Sequence, residues 1–332
     1  MYGKKLKRIK DMWFKKQFKT GLLGKNPVDI RDYLLSAIQP IGVALPEEFD
    51  LRSQQSSVQN QDNLGICYSF GVAGIGEYWN TKEYHQLIDL SERFIVYYTK
   101  KISGLWDIQA DFLRNALKSF CDYGSPLEKD YPFSSNWEDY KKEPPIEIIK
   151  KAEEFKGKTH WSVGKDLESM RQAVFQNQCP TFIGMPWYVS YNKPESDGRL
   201  PLPSGNKSGH AISGGYWTKE KVWFKNSWGK NWGKDGYFYI PFNDFSKYEI
   251  WDVSILLDLP RPQTINEGWV AESYLRKILQ QGDKVKPVSG LRLRLEPQGK
   301  ILQSLKIDNV LEIIGERKKV GSYTWVKVKL LK

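Results

Sequence analysis

Residues 209–241 begin GHAISGGYW and end FKNSWGKNWGKDGYFYIP, short aromatic and β-branched runs cut by Gly, Lys and Asn. Runs of that kind, bounded by turn formers, predict strands over 210–217, 221–226 and 236–241, with one more upstream at 180–185. Toward the N-terminus the texture turns helical. In 110–120, Phe112, Leu113, Ala116, Leu117 and Phe120 fall on one helical face. Further helices are expected over 91–99 and 166–177. CYSFGVAGIGEY, 67–78, has three glycines that each cost a helix about 1 kcal/mol, so it is helical only if buried and closely packed. Helices first and strands second imply an α+β body of two packed lobes, with a cleft between them as the natural place for a site.

The 332 residues suffice for two domains at about 100–200 residues each. With 40% hydrophobic and 27% charged residues, the chain has the composition of a globular protein with a core. No run approaches the roughly 18 apolar residues of a membrane-spanning helix. The net charge of +11 sits in the flanks: residues 1–43 and 282–332 each carry +7, which leaves 44–281 at −3. Such flanks suit anionic surfaces, but no recognition motif accompanies them, so nucleic acid is disfavoured as a partner. The basic first twenty residues can form an amphipathic helix through Leu6, Ile9 and Trp13, packed on the body or frayed rather than bound to a membrane.

Only three cysteines occur, at 67, 121 and 179, an odd and low count for a disulfide framework. The N-terminus lacks the apolar core of a secretory signal. Both observations predict a cytoplasmic protein, with export by a non-classical or phage route as the alternative. Three His and three Cys without ligand spacing predict neither metal nor cofactor.

Three residues carry chemistry. Cys67 opens a predicted helix after the loop QNQDNLG, where the positive end of the helix favours a thiolate. His210 lies in the glycine-bracketed SGHAISGG, and Asn226 in KNSWG. A thiol, an imidazole and an amide supply the nucleophile, proton carrier and orienting group of acyl transfer. Singly each has a plainer reading, as a buried small hydrophobe, a structural His and a turn Asn. His85, His160, Cys121 and Cys179 keep that plainer reading.

Together with their surroundings these residues resemble the papain family of cysteine peptidases. LPEEFDLRSQQSSVQNQDNLGICYSF, 45–70, is similar to that family's mature start, with Gln61 six residues before Cys67. GHAISGGYW, 209–217, resembles its histidine strand and FKNSWGKNWGKDGYFYIP, 224–241, its asparagine segment. SERFIVYYTKK and DFLRNALKSFCDYGSPLEKDYPF resemble the prokaryotic branch. The likeness spans about residues 27–258. It implies a papain-like two-lobed fold, a helical lobe plus a β-barrel-like lobe. It also implies a cysteine endopeptidase acting on polypeptides through Cys67, His210 and Asn226 and a thioester acyl-enzyme. Gln61 and the Cys67 N–H would form the oxyanion hole, Trp228 would shield the His–Asn hydrogen bond, and Gly65 would let substrate backbone approach. Trp106 and Ala211 are the other candidate groove residues.

Several positions depart from the family pattern. Leu64 replaces a cysteine that usually closes a disulfide, Tyr68 a Trp, and Gly209 an Asn or Asp. The groove's usual glycine pair falls near 104–106 in one register and near 109–110 in another. The long inhibitory propeptide has no counterpart, so the short leader (1–43) is not expected to impose latency. Beyond the peptidase domain (44–258), a linker and helix are expected over 259–282, the helix itself at 266–281. A small all-β barrel follows at 283–332, with strands KVKPV, GLRLRLE, KILQSL, VLEIIGE and YTWVKVKLL. This tail resembles a bacterial Src-homology-3-like domain, which would take a wall peptide or a protein ligand. The competing readings are a cell-wall peptide hydrolase or amidase and a catalytically retired binding scaffold.

Overall fold

In the computed structural model the described residues are 19–29, 32, 34–39 and 42–257, followed by strand residues 267–271, 275–277, 284–287, 291–294, 301–305, 310–320 and 323–331. The basic helix expected over the first twenty residues and the 260–262 linker lie outside that set, apart from Lys19 and Thr20.

Glycines explain why an improbable helix forms at the centre. Helix α1 (Cys67–Tyr84) runs 18 residues, is buried throughout Cys67–Tyr78 and reaches the surface in its last turn. A Cβ at Gly71 would lie 2.3 Å from Phe182 Cε2, and one at Gly76 would lie 2.4 Å from Phe120 Cζ. Bare backbone on these faces lets a strand and a helix pack against α1, and that burial offsets the propensity cost. Helix α2 (Glu92–Ser103) starts on Ser91, whose side chain accepts the Phe94 N–H, and stops at Gly104 in the left-handed conformation. Helix α3 (Leu113–Tyr123) packs the expected face, Leu113, Ala116, Leu117 and Phe120, into the core. The sequence reading missed the short α4 (Ile146–Ala152), which follows two prolines. Helix α5 (Leu167–Asn177) is capped by Asp166.

The strands are β1 (Thr159–Ser162), β2 (Thr181–Tyr188), β3 (Lys207–Thr218), β4 (Lys221–Lys225), β5 (Tyr237–Pro241) and β6 (Asp252–Leu257). They form one antiparallel sheet in the order β1-β6-β2-β3-β4-β5. Four of them were expected. β1 and β6 were not, because β6 pairs with strands distant in sequence and no turn signal brackets it. The register sets Gly184 opposite Ala211 and Met185 opposite His210. No described helix is long and apolar enough to cross a membrane.

The chain divides into two units, the second holding 260–332 together with 37–39. In that second unit the helix expected over 266–281 is corrected. β7 (Glu267–Ala271) and β8 (Leu275–Lys277) stand there instead. Alternation in EGWVA and pairing of β7 with the long final strand outweigh the helical pattern. With β9 (Lys284–Pro287), β10 (Leu291–Arg294), β11 (Ile301–Leu305), β12 (Val310–Val320) and β13 (Tyr323–Leu331) they form a ladder ordered β11-β10-β7-β13-β12-β9-β8.

Gly76→Val should force Phe120 aside. The expected loss is about 1–3 kcal/mol, read as a lower midpoint in chemical denaturation; an unchanged midpoint would show that the α1–α3 contact tolerates bulk.

Candidate active site

Cys67 is the first residue of α1 and is fully buried. Its sulphur accepts the Ala211 N–H at 3.3 Å, which joins the helical half to β3. His210 is the preceding residue of β3, and its Nε2 lies 2.7 Å from Asn226 Oδ1. Oδ1 also accepts the Ser227 N–H at 2.8 Å, which turns the carboxamide oxygen toward the ring and places the imidazole hydrogen on Nε2. Nδ1 keeps its lone pair and has no hydrogen-bond partner among the described residues. Trp187 and Trp228 enclose the ring at centroid distances of 4.6 and 4.8 Å. Trp187, on β2, went unnoticed in the sequence because no motif surrounds it.

Gln61 is held by its backbone and by its side chain. Its N–H donates to Ser227 O at 2.9 Å, and its Oε1 accepts the Ser227 hydroxyl at 2.5 Å. Its Nε2 therefore points the other way, to Leu64 O at 2.6 Å and Lys19 O at 3.2 Å. Trp228 Nε1 reaches the same Lys19 carbonyl at 3.2 Å. A peptide carbonyl thus sits between two side-chain N–H donors of the site.

That carbonyl belongs to the leader, which lies in the cleft. Gly21 N–H donates to Cys67 Sγ at 3.2 Å, and Leu22 N–H to Gly209 O at 3.0 Å. Leu22 bridges Asp111 in parallel, with Asp111 N–H on Gly21 O and Leu23 N–H on Asp111 O, both at 3.0 Å. The Leu22 side chain is buried against Gly184 and Leu113. Further along, Asn26 N–H reaches Asp252 at 2.7 Å and Lys25 pairs with Glu249 at 3.1 Å. The contact that the segment makes with the sulphur is through an amide N–H, that of Gly21. That the short leader would occupy the cleft was not anticipated from the sequence. Its grip is mostly backbone, which leaves little trace in side-chain pattern.

Burial under this segment sets the electrostatics. It pushes the Cys67 thiol up to about 12, against the lowering effect of the amides on its sulphur. It pulls His210 down to about 4, against the Asn226 hydrogen bond. In the covered site burial thus favours the neutral thiol and the neutral imidazole, opposing the helix N-terminus that favours a thiolate.

The other groove candidates separate. Gly65 belongs here: its N–H donates to Gln109 Oε1 at 2.8 Å, and a Cβ on it would meet Thr20 O at 2.9 Å. Ala211 belongs through its contact with the sulphur. Trp106 does not, since its ring packs on Tyr97 in a separate aromatic cluster with Phe94, Tyr98 and Tyr131. The edge that pairs with the leader is at Asp111, flanked by Gln109, whose side chain binds the Gly65 N–H.

A family model described as papain family cysteine protease matches residues 45–255. A viral cathepsin of Choristoneura fumiferana nuclear polyhedrosis virus is 26% identical over 205 residues, covering 60% of each chain. A cathepsin L-like protein of Caenorhabditis elegans is 25% identical over 231 residues, covering 63% of each. The chain thus spans about three fifths of the length of these curated relatives. Among solved structures, Xylellain, a cysteine protease from Xylella fastidiosa, superposes with a TM-score of 0.61 at 25% identity, over 74% of this chain and 98% of that one. Digestive procathepsin L 3 of Tenebrio molitor shares the fold at a TM-score of 0.56 and 18% identity.

Two outcomes follow from the covered geometry. A Cβ at Gly21 would lie 2.0 Å from Gly65 O, so Gly21→Val should expel the leader and speed iodoacetamide labelling of Cys67 at pH 7.5 at least tenfold; labelling at the wild-type rate would mean that the leader does not guard the thiol. Between pH 6.5 and 4 the unfolded chain binds a proton that buried His210 refuses, so stability falls as pH drops through that window. His210→Gln should flatten this fall by up to about 3 kcal/mol in urea titrations, whereas parallel curves would place the imidazole in water.

Proposed function

The chain belongs to the papain family of cysteine proteases, and from that membership and the site geometry we propose that it is an endopeptidase working through Cys67, His210 and Asn226. The observation that carries this reading is a peptide segment in the cleft whose Lys19 carbonyl is held by Gln61 Nε2 and whose Gly21 N–H meets the Cys67 sulphur. Withdrawal of the leader readmits water and reverses the burial that keeps thiol and imidazole neutral. His210 Nδ1 then takes the thiol proton, and the thiolate attacks the scissile carbonyl carbon. Gln61 Nε2 and the Cys67 N–H stabilise the oxyanion. The imidazolium next protonates the leaving amine, and the resulting thioester is hydrolysed by a water that His210 deprotonates. Asn226 and Trp228 keep the ring in one tautomer and out of bulk solvent.

The leader then acts as a cover for the cleft, and peptidase activity depends on its displacement. The three free cysteines, with Leu64 at the position of a family cysteine, support a reducing, cytoplasmic setting. The likeness to a Xylella protease supports the prokaryotic branch. The C-terminal ladder of short strands supports a Src-homology-3-like unit that binds a wall peptide or protein ligand, and retention of the full chain on purified peptidoglycan would favour the wall peptide.

In the leader-displaced Gly21→Val chain, fluorogenic peptide amides should be hydrolysed. Cys67→Ala in that background should abolish turnover, and Gln61→Ala should lower kcat about 10²–10³-fold. Undiminished hydrolysis without the thiol would end the cysteine-peptidase reading.

A further inference from the structure

Asp111 does two things at once. Its peptide N–H and C=O are the pair that the leader uses to add itself to the cleft edge. Its side chain, wholly buried, is gripped by four donors. Lys100 Nζ at 3.0 Å and Ser103 Oγ at 2.7 Å bind Oδ2, while Phe112 N–H and Asn115 Nδ2, each at 2.8 Å, bind Oδ1. Lys100 is also fully buried and donates to Ala110 O at 2.6 Å. A buried ion pair is a poor investment in stability alone, because apolar residues of similar volume commonly serve as well. What this pair supplies is geometry. One ammonium fixes both the carbonyl before Asp111 and the carboxylate of Asp111, so the peptide between them cannot rotate. Residue 109 is tied from the other side, with Gln109 O accepting Tyr68 Oη at 3.0 Å and Gln109 Oε1 accepting the Gly65 N–H. No disulfide braces this edge.

We propose that Lys100 is a positioning residue for polypeptide binding: through Ala110 O and the Asp111 carboxylate it holds the Asp111 N–H and C=O at the angle that a chain in the cleft must meet. The leader is the occupant seen on that edge. A substrate's backbone on the N-terminal side of its scissile bond would use the same two groups, and this part rests on the peptidase reading. Backbone pairing on an edge strand is available to chains of either polarity.

The test uses Lys100→Met/Asp111→Asn, which removes both charges and leaves no ion without its partner, in two full-length backgrounds. With the native leader, loosening the edge should raise the iodoacetamide labelling rate of Cys67 at least fivefold. With Gly21→Val, where the leader no longer competes, labelling should match that of Gly21→Val alone. In that background KM for a tetrapeptide amide should rise about tenfold while kcat stays within twofold. A general softening of the fold would lower kcat and alter labelling in both backgrounds. Ser103→Ala, which removes one donor and no charge, should give the same split at two- to threefold if the double variant does not fold. Unchanged KM and unchanged labelling in folded variants would overturn the proposal. If Gly21→Val cleaves no peptide amide, the peptidase reading fails on its own and the labelling rates with the native leader decide the role of Lys100.

Discussion

The backbone amide of Ala211 on the sulphur of Cys67 is the contact on which the site depends. It requires the N-terminus of α1 to abut the middle of β3, and little tolerance exists there. Gly71 must admit Phe182 from β2 on one face of the helix while Gly76 admits Phe120 from α3 on another. Bulk at either position would move the first turn of α1 relative to the strand that carries His210. The Gln61 carboxamide is tied into the same frame, because Ser227 bonds to both Gln61 and Asn226. Thiol, imidazole, amide and carboxamide are therefore positioned by one continuous set of backbone and side-chain bonds rather than by four separate supports.

Solvation decides what this frame can do at any moment. A helix N-terminus favours a thiolate by up to a few kcal/mol, yet burial beneath residues 19–26 outweighs it and leaves the thiol protonated. The same cover leaves the imidazole neutral. Both groups are held neutral by the same physical cause, exclusion of water from the cleft. A buried counterpart lies behind the site. Lys225, one residue before Asn226, donates to Ser56 O and Oγ at 2.9 Å, and Ser56 in turn donates to Glu77. Burial alone would drive Lys225 toward neutrality, and the opposing charge of Glu77 counters it. The end of β4 is pinned from within by this network.

Much of the arrangement could be read from residue order, for identifiable reasons. His210 and Asn226 lie on neighbouring strands joined by a short turn, so sequence proximity stands in for spatial proximity. Gln61 precedes Cys67 by six residues, and the loop between them returns locally. Harder to read were contacts made by backbone or by distant partners. β6 pairs across the sheet with β1 and β2, and Trp187 meets His210 from a strand with no motif. The groove edge at 109–111 is set by a lysine and a tyrosine whose partners are main-chain carbonyls. Trp106 looked like groove lining only because of its spacing, and its ring found a better-filled aromatic cluster. Between 266 and 281, apolar spacing matched a helix, but cross-strand partners elsewhere in the chain decided for β structure.

The leader shows why a short segment can cover a cleft that otherwise needs a large inhibitor. Tethering makes its local concentration about millimolar, so each of its contacts has to contribute little. Three backbone–backbone hydrogen bonds between residues 21–23 and the cleft, the Gly21 N–H on the Cys67 sulphur, one buried leucine and a surface ion pair are among the contacts the structure provides. Its direction matters more than its strength. Lys19 lies at the carboxamide of Gln61 and Leu22 runs parallel to Asp111, so the chain passes Cys67 with an N–H toward the sulphur. The leader thus occupies the Asp111 edge in the parallel sense, with its backbone rather than its side chains making most of the contacts. The one side-chain requirement at the crossing point is the absence of a side chain, at Gly21.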